Sequence, residues 1–410
     1  MEEVKLHVLA KISLLFVLYL LTYFTFFAFV TKPAEGDSLA YHIPIAKIIL
    51  HGSVLNPKAY SNILTDPGAS EVILSGFMAA GLPLNLYNVV GLFVLLLVTM
   101  RLAFTFGLSK PYAVIFAATI CTLHTVVRWI STQSIDIWLA VYFVLTLLLL
   151  QKLEKKFSYF ITLGFSAGML IGSKYTGPLF LLVLSLFYTR AFIKNISFQR
   201  FLAFLIPFTL FGLFWYIRNY VFWHDPYYPQ PIPFFKGIPG WSILGIPPWK
   251  IVLYYPGGLT GTLNAFFSEY GVWSLSLPVA LVLLVYGYKK IHQVKYALAT
   301  KLFMIGVLNL VIYLFLPDGP YFNLYVSTLR YTYPALIPLI LSLFLIAKEF
   351  RREEVVSAIA MMNMVMPTEF GLQYGFHPKV LLAFIPIGLL VYFINFNKPL
   401  RIFPLRLPIF

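Results

Sequence analysis

The sequence has little charge and almost no cysteine. Charged residues make up 11% of the 410 residues, whereas a soluble domain carries roughly 25%. Cys121 is the only cysteine and lies in an apolar stretch, which excludes a disulfide framework and a cysteine-based metal centre. The sequence also lacks HExxH, P-loop and GxGxxG motifs, so it offers no zincin, Walker-type or dinucleotide-binding signature.

Apolar and aromatic residues are abundant instead. They account for 60% and 18% of the chain, and the mean hydropathy is +0.84. This composition predicts an all-α polytopic membrane protein with about 12 spans and no cleavable signal peptide. A single transmembrane domain is expected over residues 1–410, without a separate soluble domain. The predicted spans are 12–30, 85–106, 111–130, 136–150, 157–173, 175–190, 200–219, 270–288, 299–317, 331–348, 354–368 and 379–397.

The distribution of charge predicts the orientation. With both termini cytoplasmic, the short inner loops hold most of the 30 lysines and arginines, as the positive-inside rule requires. The net charge of +15 is then a topology signal and needs no nucleic-acid partner. All seven tryptophans fall on the outer side: 129, 138, 215, 223, 241, 249 and 273. Two long outer loops, 31–70 and 221–269, are the expected location of a site at the cell membrane.

The segment after the first span contains two carboxylates within three positions, Glu35 and Asp37. Ionisable groups at the mouth of a membrane bundle are costly unless solvated or functional. An interfacial helix is predicted from Ser38 to Leu50, with Gly52 as its stop. Its apolar face would be formed by residues at helical spacing, with His42 and Lys47 facing elsewhere: Leu39, Ile43, Ala46, Ile49 and Leu50. Asp37 then lies at or next to the N-cap, so it is either a capping acid or a catalytic carboxylate, and both roles are compatible.

Five motifs, in order, carry a family resemblance. They are Gly36-Asp37-Ser38-Leu39-Ala40-Tyr41-His42-Ile43-Pro44, Ser131-Thr132-Gln133-Ser134-Ile135-Asp136, Gly168-Met169-Leu170-Ile171-Gly172-Ser173-Lys174-Tyr175-Thr176, Trp215-Tyr216-Ile217-Arg218-Asn219-Tyr220 with Asp225-Pro226-Tyr227-Tyr228-Pro229 behind it, and Arg330-Tyr331-Thr332-Tyr333-Pro334-Ala335. Together they resemble the GT-C membrane glycosyltransferases, which use polyprenyl-phosphate-linked sugars and include the protein O-mannosyltransferases and aminoarabinose and lipopolysaccharide core transferases. The stretch Leu64–Glu71 departs from this pattern, because it lacks the Lys-Pro pair of some members.

The resemblance implies an inverting glycosyltransferase of the GT-C fold that acts on the extracytoplasmic face. The partners would be a polyprenyl-phosphate sugar, a lipid, glycan or protein acceptor with a free hydroxyl, and the bilayer. Asp37 would be the general base. Asp136 would orient the acceptor or hold Asp37, or else form an interfacial pair with Arg128.

Three outer cations are candidates for the donor phosphate: Lys174, Arg218 and Arg330. Arg offers a planar fork that matches phosphate, whereas Lys offers a point charge. The alternatives are snorkelling for Lys174 and headgroup anchoring for the two arginines. The expected substrate-binding residues are Glu35, Tyr41, His42, Tyr175, Trp215 and Tyr331.

No cofactor is expected, although Glu35, Asp37 and His42 could hold a divalent ion. Two other function classes stay open, namely a transporter or flippase of lipid-linked glycan and a non-catalytic subunit of a glycan-assembly complex. A transporter predicts ionisable groups near mid-membrane and repeat symmetry, whereas the ionisable groups here cluster at the predicted outer rim.

Overall fold

The computed structural model describes residues 2–56, 62–232, 234–238, 247–254, 258–316, 329–365 and 386. These residues are helical and form no named strand; one isolated bridge joins Ile232 and Phe235. The helices are α1 Glu2–Val30, α2 Ser38–Leu50, α3 Ala69–Ala79, α4 Tyr87–Thr105, α5 Lys110–Cys121, α6 His124–Trp129, α7 Asp136–Gln151, α8 Phe157–Ser173, α9 Gly177–Asn195, α10 Phe198–Phe208, α11 Phe214–Trp223, α12 Pro248–Tyr254, α13 Gly258–Tyr270, α14 Ser276–Gly287, α15 Gln293–Phe315, α16 Tyr333–Glu349 and α17 Glu353–Val365.

Seven segments of the described chain are long and apolar enough to cross a membrane. This supports the prediction of an all-α membrane protein with several spans. The segments are Leu6–Val30, Leu84–Thr105, Gly177–Asn195, Phe198–Trp223, Gly258–Gly287, Gln293–Phe315 and Leu329–Glu349. Each overlaps one of the twelve predicted spans, while the predicted span 379–397 lies outside the described residues apart from residue 386.

The other predicted spans coincide with shorter helices. The stretch 111–130 is two helices, α5 and α6, and not one. The break falls at Thr122 and Leu123, where Leu123 adopts an extended conformation (φ −55°, ψ 134°). The Thr122 hydroxyl donates to the carbonyls of Ala118 and Thr119, a back-bond that competes with helix continuation. The predicted spans 136–150, 157–173 and 354–368 correspond to α7, α8 and α17, which have 16, 17 and 13 residues.

The core of the bundle is built by helices that are apolar on all sides. Nearly every residue of α5, α7 and α16 is buried, so these helices are covered by protein and not by lipid. In contrast, α9, α10 and α11 leave many large apolar side chains exposed, including Leu186, Phe198 and Val221. An exposed apolar surface of this kind suits contact with lipid.

A glycine stripe brings α8 close to α10. Gly164, Gly168 and Gly172 recur every four residues and face the opposing backbone, the small-xxx-small pattern of tightly packed membrane helices. A Cβ at Gly164 would lie 2.1 Å from the carbonyl oxygen of Phe204. Pro207 lies inside α10, and a π-turn over Thr209–Leu213 joins α10 to α11. Since proline lacks an N–H, it disturbs the hydrogen-bond ladder at this point.

Helix α2 occurs where the sequence predicts it, and Gly52 follows its end in the left-handed conformation (φ 70°). The apolar face differs from the prediction, because Leu39 and Leu50 are exposed while His42 is buried. The first turns, Ser38–His42, form a π-helix, in which Ile43 N–H donates to Ser38 O. The i→i+5 spacing changes which side chains share a face, and a regular 3.6-residue period misses this shift.

We predict that Gly164→Ala destabilises the protein in detergent by about 1–3 kcal/mol, since the added methyl meets backbone and cannot be accommodated by a rotamer change. Thermal unfolding followed by intrinsic fluorescence measures the effect. Gly76→Ala is the matched control, because a Cβ at Gly76 in α3 has no neighbour within 4 Å. Equal midpoints for the two variants would contradict the close approach.

Candidate functional site

The guanidinium of Arg330 joins two aspartates from distant parts of the chain. Nη2 donates to Oδ2 of Asp37 at 2.8 Å, and Nε lies 3.0 Å from Oδ2 of Asp136. Arg330 precedes α16, Asp37 follows α1, and Asp136 begins α7. The structure therefore brings together three of the predicted site residues. We call these three residues and Lys174 the Arg330 cluster.

Asp136 is buried at the start of α7 and is fully engaged. Lys174 Nζ donates to Oδ1 at 3.0 Å, and the Ser134 hydroxyl donates to Oδ2 at 2.6 Å. Arg330 supplies a second positive charge. The alternative pairing with Arg128 is wrong, since Arg128 forms its buried ion pair with Glu269. Two cations and a hydroxyl compensate the cost of burying the Asp136 carboxylate.

Both cations of the cluster also lie over aromatic rings. Lys174 Nζ is 3.3 Å from the centroid of the Tyr331 ring, and the Arg330 guanidinium carbon is 4.0 Å from that of Trp129. Cation–π contacts strengthen when the cation is desolvated. Tyr331, predicted to bind substrate, here flanks Lys174. Lys174 is 21% exposed and paired with an acid, which differs from the snorkelling alternative.

Asp37 is the accessible carboxylate of the cluster. Its side chain is 41% exposed, whereas that of Asp136 is 2% exposed. Burial opposes ionisation of Asp37, but the charge and hydrogen bond of Arg330, assisted by His42, outweigh it and hold the pKa below its usual value. Asp37 is thus kept ionised while one face of its carboxylate can meet a ligand.

Of the two acids in the opening motif, Glu35 and not Asp37 makes the capping hydrogen bonds. Glu35 is 3% exposed and accepts hydrogen bonds from the N–H groups of Asp37 (2.8 Å) and Ser38 (2.6 Å) and from the Ser38 hydroxyl (2.6 Å). Asp37 makes no such capping bond. Glu35 therefore satisfies the first amides of α2.

A polar network fixes the second acidic loop against the first. The Ser38 hydroxyl accepts from Gln133 N–H at 2.9 Å. The side-chain amide of Asn88 donates to three carbonyls of the loop, those of Trp129, Thr132 and Ser134. Because these backbone groups are buried and must be satisfied, the loop has one conformation, and Asp136 is held within reach of Arg330.

His42 is buried and pairs with an acid that the motif analysis did not select. Its Nδ1 lies 2.7 Å from Oε1 of Glu71 at the start of α3. Tyr41 is half-buried, and its ring lies 4.2 Å from the His42 ring. Glu71 could have been found as an ionisable residue opening an apolar segment. The same signal applies to Glu269.

Arg218 belongs to a second group of side chains. Its guanidinium donates to Thr65 O and to Oδ1 of Asn219, and lies 4.9 Å from the Trp215 ring. Tyr175 OH accepts from Asn219 Nδ2 at 3.0 Å. No described contact joins Arg218 directly to Asp37, Asp136 or Arg330. Trp215, predicted to bind substrate, packs against the backbone of Gly68.

Asp66 lies between these two groups. Burial and the neighbouring Glu71 carboxylate raise the pKa of Asp66 to about 7, against the opposing charges of Arg218 and Lys174. Its Oδ1 and the Oε2 of Glu71 are buried without a hydrogen-bond partner in the described part of the chain. Among the described residues, no group of three or more His, Cys, Asp or Glu side chains is arranged to hold a metal ion.

Comparisons of the chain with protein-family models, with curated proteins and with solved structures find no match. The GT-C resemblance of the five motifs therefore stays an expectation.

The raised pKa of Asp66 predicts how stability depends on pH. Folded Asp66 retains its proton up to about pH 7, while the unfolded group loses it near 3.8. The folded state thus binds more protons between these values, and its stability falls as pH rises through this window. We expect the thermal midpoint in detergent to fall less between pH 5 and 8 in Asp66→Asn than in the wild type.

Glu154→Gln is the control, because Glu154 pairs with Lys152 and Lys156 far from this site in the sequence. An equally steep fall in Asp66→Asn and wild type would show that Asp66 ionises normally.

Proposed function

We propose that the protein is a membrane glycosyltransferase of the GT-C type. It moves a sugar from a polyprenyl-phosphate donor to an acceptor hydroxyl on the extracytoplasmic face, with inversion. The observation that carries the proposal is the Arg330 cluster, in which one accessible carboxylate lies beside two cations at the end of an apolar helical bundle. This is the set of charges that transfer from a lipid phosphate to a hydroxyl requires.

The accessible carboxylate acts on the acceptor. Arg330 occupies Oδ2 of Asp37, so Oδ1 takes the proton of the acceptor hydroxyl as the new C–O bond forms at the sugar carbon. Because Arg330 also keeps Asp37 ionised, the base is in its active form over the neutral pH range. Asp136 does not contact the acceptor in this scheme, since it is buried and fixes the positions of Arg330 and Lys174.

The cations act on the departing phosphate. As the bond between the sugar carbon and the phosphate oxygen breaks, its electron pair goes to the phosphate. Lys174 is partly exposed, and Nη1 of Arg330 has no hydrogen-bond acceptor within the described ranges. Both therefore have donors to spare, that of Lys174 open to an anion and that of Arg330 buried. Arg218, whose Nε and Nη2 already donate to Thr65 O and Asn219, is the weaker candidate, and we assign it to holding the loops together.

We predict that Asp37→Asn slows transfer by about 10²–10⁴-fold, the range for loss of a general base. The assay follows release of polyprenyl phosphate by the purified protein, offered a panel of polyprenyl-phosphate sugars with membranes as the source of acceptor. Glu154→Gln is the control and should retain wild-type rates, because Glu154 makes its ion pairs with Lys152 and Lys156.

Transfer by Asp37→Asn at the wild-type rate would exclude Asp37 as the base. If the wild type released no polyprenyl phosphate from any donor of the panel, the proposed reaction would be wrong, and the transporter and scaffold alternatives would gain support.

The acid side of the pH–rate profile gives a further prediction. Since Arg330 lowers the pKa of Asp37, Arg330→Gln should raise it, so that residual transfer is lost at a higher pH than in the wild type. The ratio of rates at pH 5 and pH 7 measures this shift and is independent of the overall loss of activity. An unchanged ratio would mean that ionisation of Asp37 does not limit the reaction.

A further inference from the structure

A cleft follows directly after α11 and is separate from the Arg330 cluster. It encloses about 280 Å³ and is lined by Trp223, His224, Asp225, Tyr228, Phe234, Phe235, Lys236 and Gly237. We call it the 223–237 cleft. Its volume is at the small end of the range for ligand pockets. None of its residues takes part in the charge pairs described above, so the proposed transfer chemistry leaves it without a role.

The cleft contains a flat aromatic platform. The rings of Trp223 and Tyr228 stack with centroids 4.4 Å apart and planes within 4°. Both residues are partly exposed, and in a stacked pair each ring has one face that its partner does not cover. Phe234 stands beside them with 89% of its side chain exposed. The negative faces of such rings attract the C–H groups on the flat side of a sugar ring.

The loop that forms the cleft is rigidly built. Oδ1 of Asp225 accepts from Tyr227 N–H at 2.9 Å, and Oδ2 accepts from Gly237 N–H at 3.1 Å. Gly237 has φ 57°, and a Cβ there would lie 2.5 Å from Pro229 O, so only glycine fits. The carboxylate of Asp225 thus closes the loop and is saturated by backbone donors.

The charged group of the cleft that a ligand can reach is the positive ammonium group of Lys236. Lys236 is exposed and forms no ion pair with any residue in the described part of the chain. His224 is also exposed, in the left-handed conformation that ends α11. With Asp225 engaged by the backbone, a ligand that enters meets aromatic faces together with an unpaired ammonium group.

The cleft is connected to the proposed active site through one carbonyl. Tyr228 O accepts from Tyr175 OH and from Asn219 Nδ2, and Asn219 in turn binds Arg218. Tyr175 follows Lys174, which contacts Asp136 in the Arg330 cluster. The platform and the accessible carboxylate of Asp37 therefore lie at the same end of the bundle.

We propose that the 223–237 cleft binds a carbohydrate part of the acceptor, with a sugar ring on the Trp223–Tyr228 pair and an acidic substituent of that sugar on Lys236. The assignment rests on the proposed glycosyl transfer and specifies its acceptor as an acidic glycan. An acyclic phospholipid headgroup lacks the flat C–H face that the platform fits, and a neutral sugar leaves Lys236 without a partner.

Binding is tested directly with the full-length protein in detergent. The probes are trigalacturonate and its fully methyl-esterified form, which has the same rings without the charges, and calorimetry measures the affinity. We expect the acidic trisaccharide to bind about tenfold more tightly than the ester, as one charge-assisted contact implies. Trp223→Ala should weaken both saccharides at least as much. Lys236→Gln should abolish the preference for the acid.

Trp249→Ala and Lys250→Gln are the matched controls, because these residues belong to α12 and do not line the cleft. Both should bind like the wild type. Lys236 is exposed, so its variant is expected to fold even if Trp223→Ala does not. No binding of either saccharide, or unchanged binding by Lys236→Gln, would overturn the assignment. Release of polyprenyl phosphate without saccharide binding would refute the cleft alone, and the reverse result would refute the transfer reaction.

Discussion

The contact of Arg330 with Asp37 and Asp136 is the constraint on which the site depends. A guanidinium that is 4% exposed is tolerable only if acids accompany it, and an acid as buried as Asp136 needs cations in turn. Loss of either partner leaves an uncompensated buried charge. The segments after α1, before α7 and before α16 are therefore required to meet, although they are separated by about 100 and 200 residues along the chain.

The surrounding polar groups support this contact. Glu35 organises the start of α2, Asn88 holds the loop before α7, and Ser38 joins the two. Each satisfies backbone groups that would otherwise be buried without partners. Arg330 and Arg218 differ in how their hydrogen-bond donors are used. Nη1 of Arg330 lacks a hydrogen-bond acceptor within the described ranges, whereas Nε and Nη2 of Arg218 donate to Thr65 and Asn219, and Asn219 leads to the aromatic cleft.

The motif pattern correctly directed attention to several residues and erred on others for identifiable reasons. Asp37, Asp136, Lys174 and Arg330 do meet, because each is an ionisable residue at the end of an apolar helix, and such groups seek partners. Helical periodicity placed α2 but not its buried face, since a π-turn shifts the phase at His42. Glu71 went unnoticed, although it pairs with that histidine. The structure also gives Glu35 and Arg218 protein partners that the motifs did not indicate.

The sequence alone determined that the chain belongs in a lipid environment and that its structure is helical. A chain with 60% hydrophobic and 11% charged residues forms apolar helices because backbone polar groups in lipid must bond to one another. Because charged residues are scarce, the sequence also indicated which positions to consider as candidate site residues. Only the tertiary structure decided which acid faces which cation, which carboxylate is accessible and which is a cap. These outcomes depend on contacts between residues far apart in the chain, and on departures from regular helix such as the π-turn at Ser38–His42 and the break at Leu123.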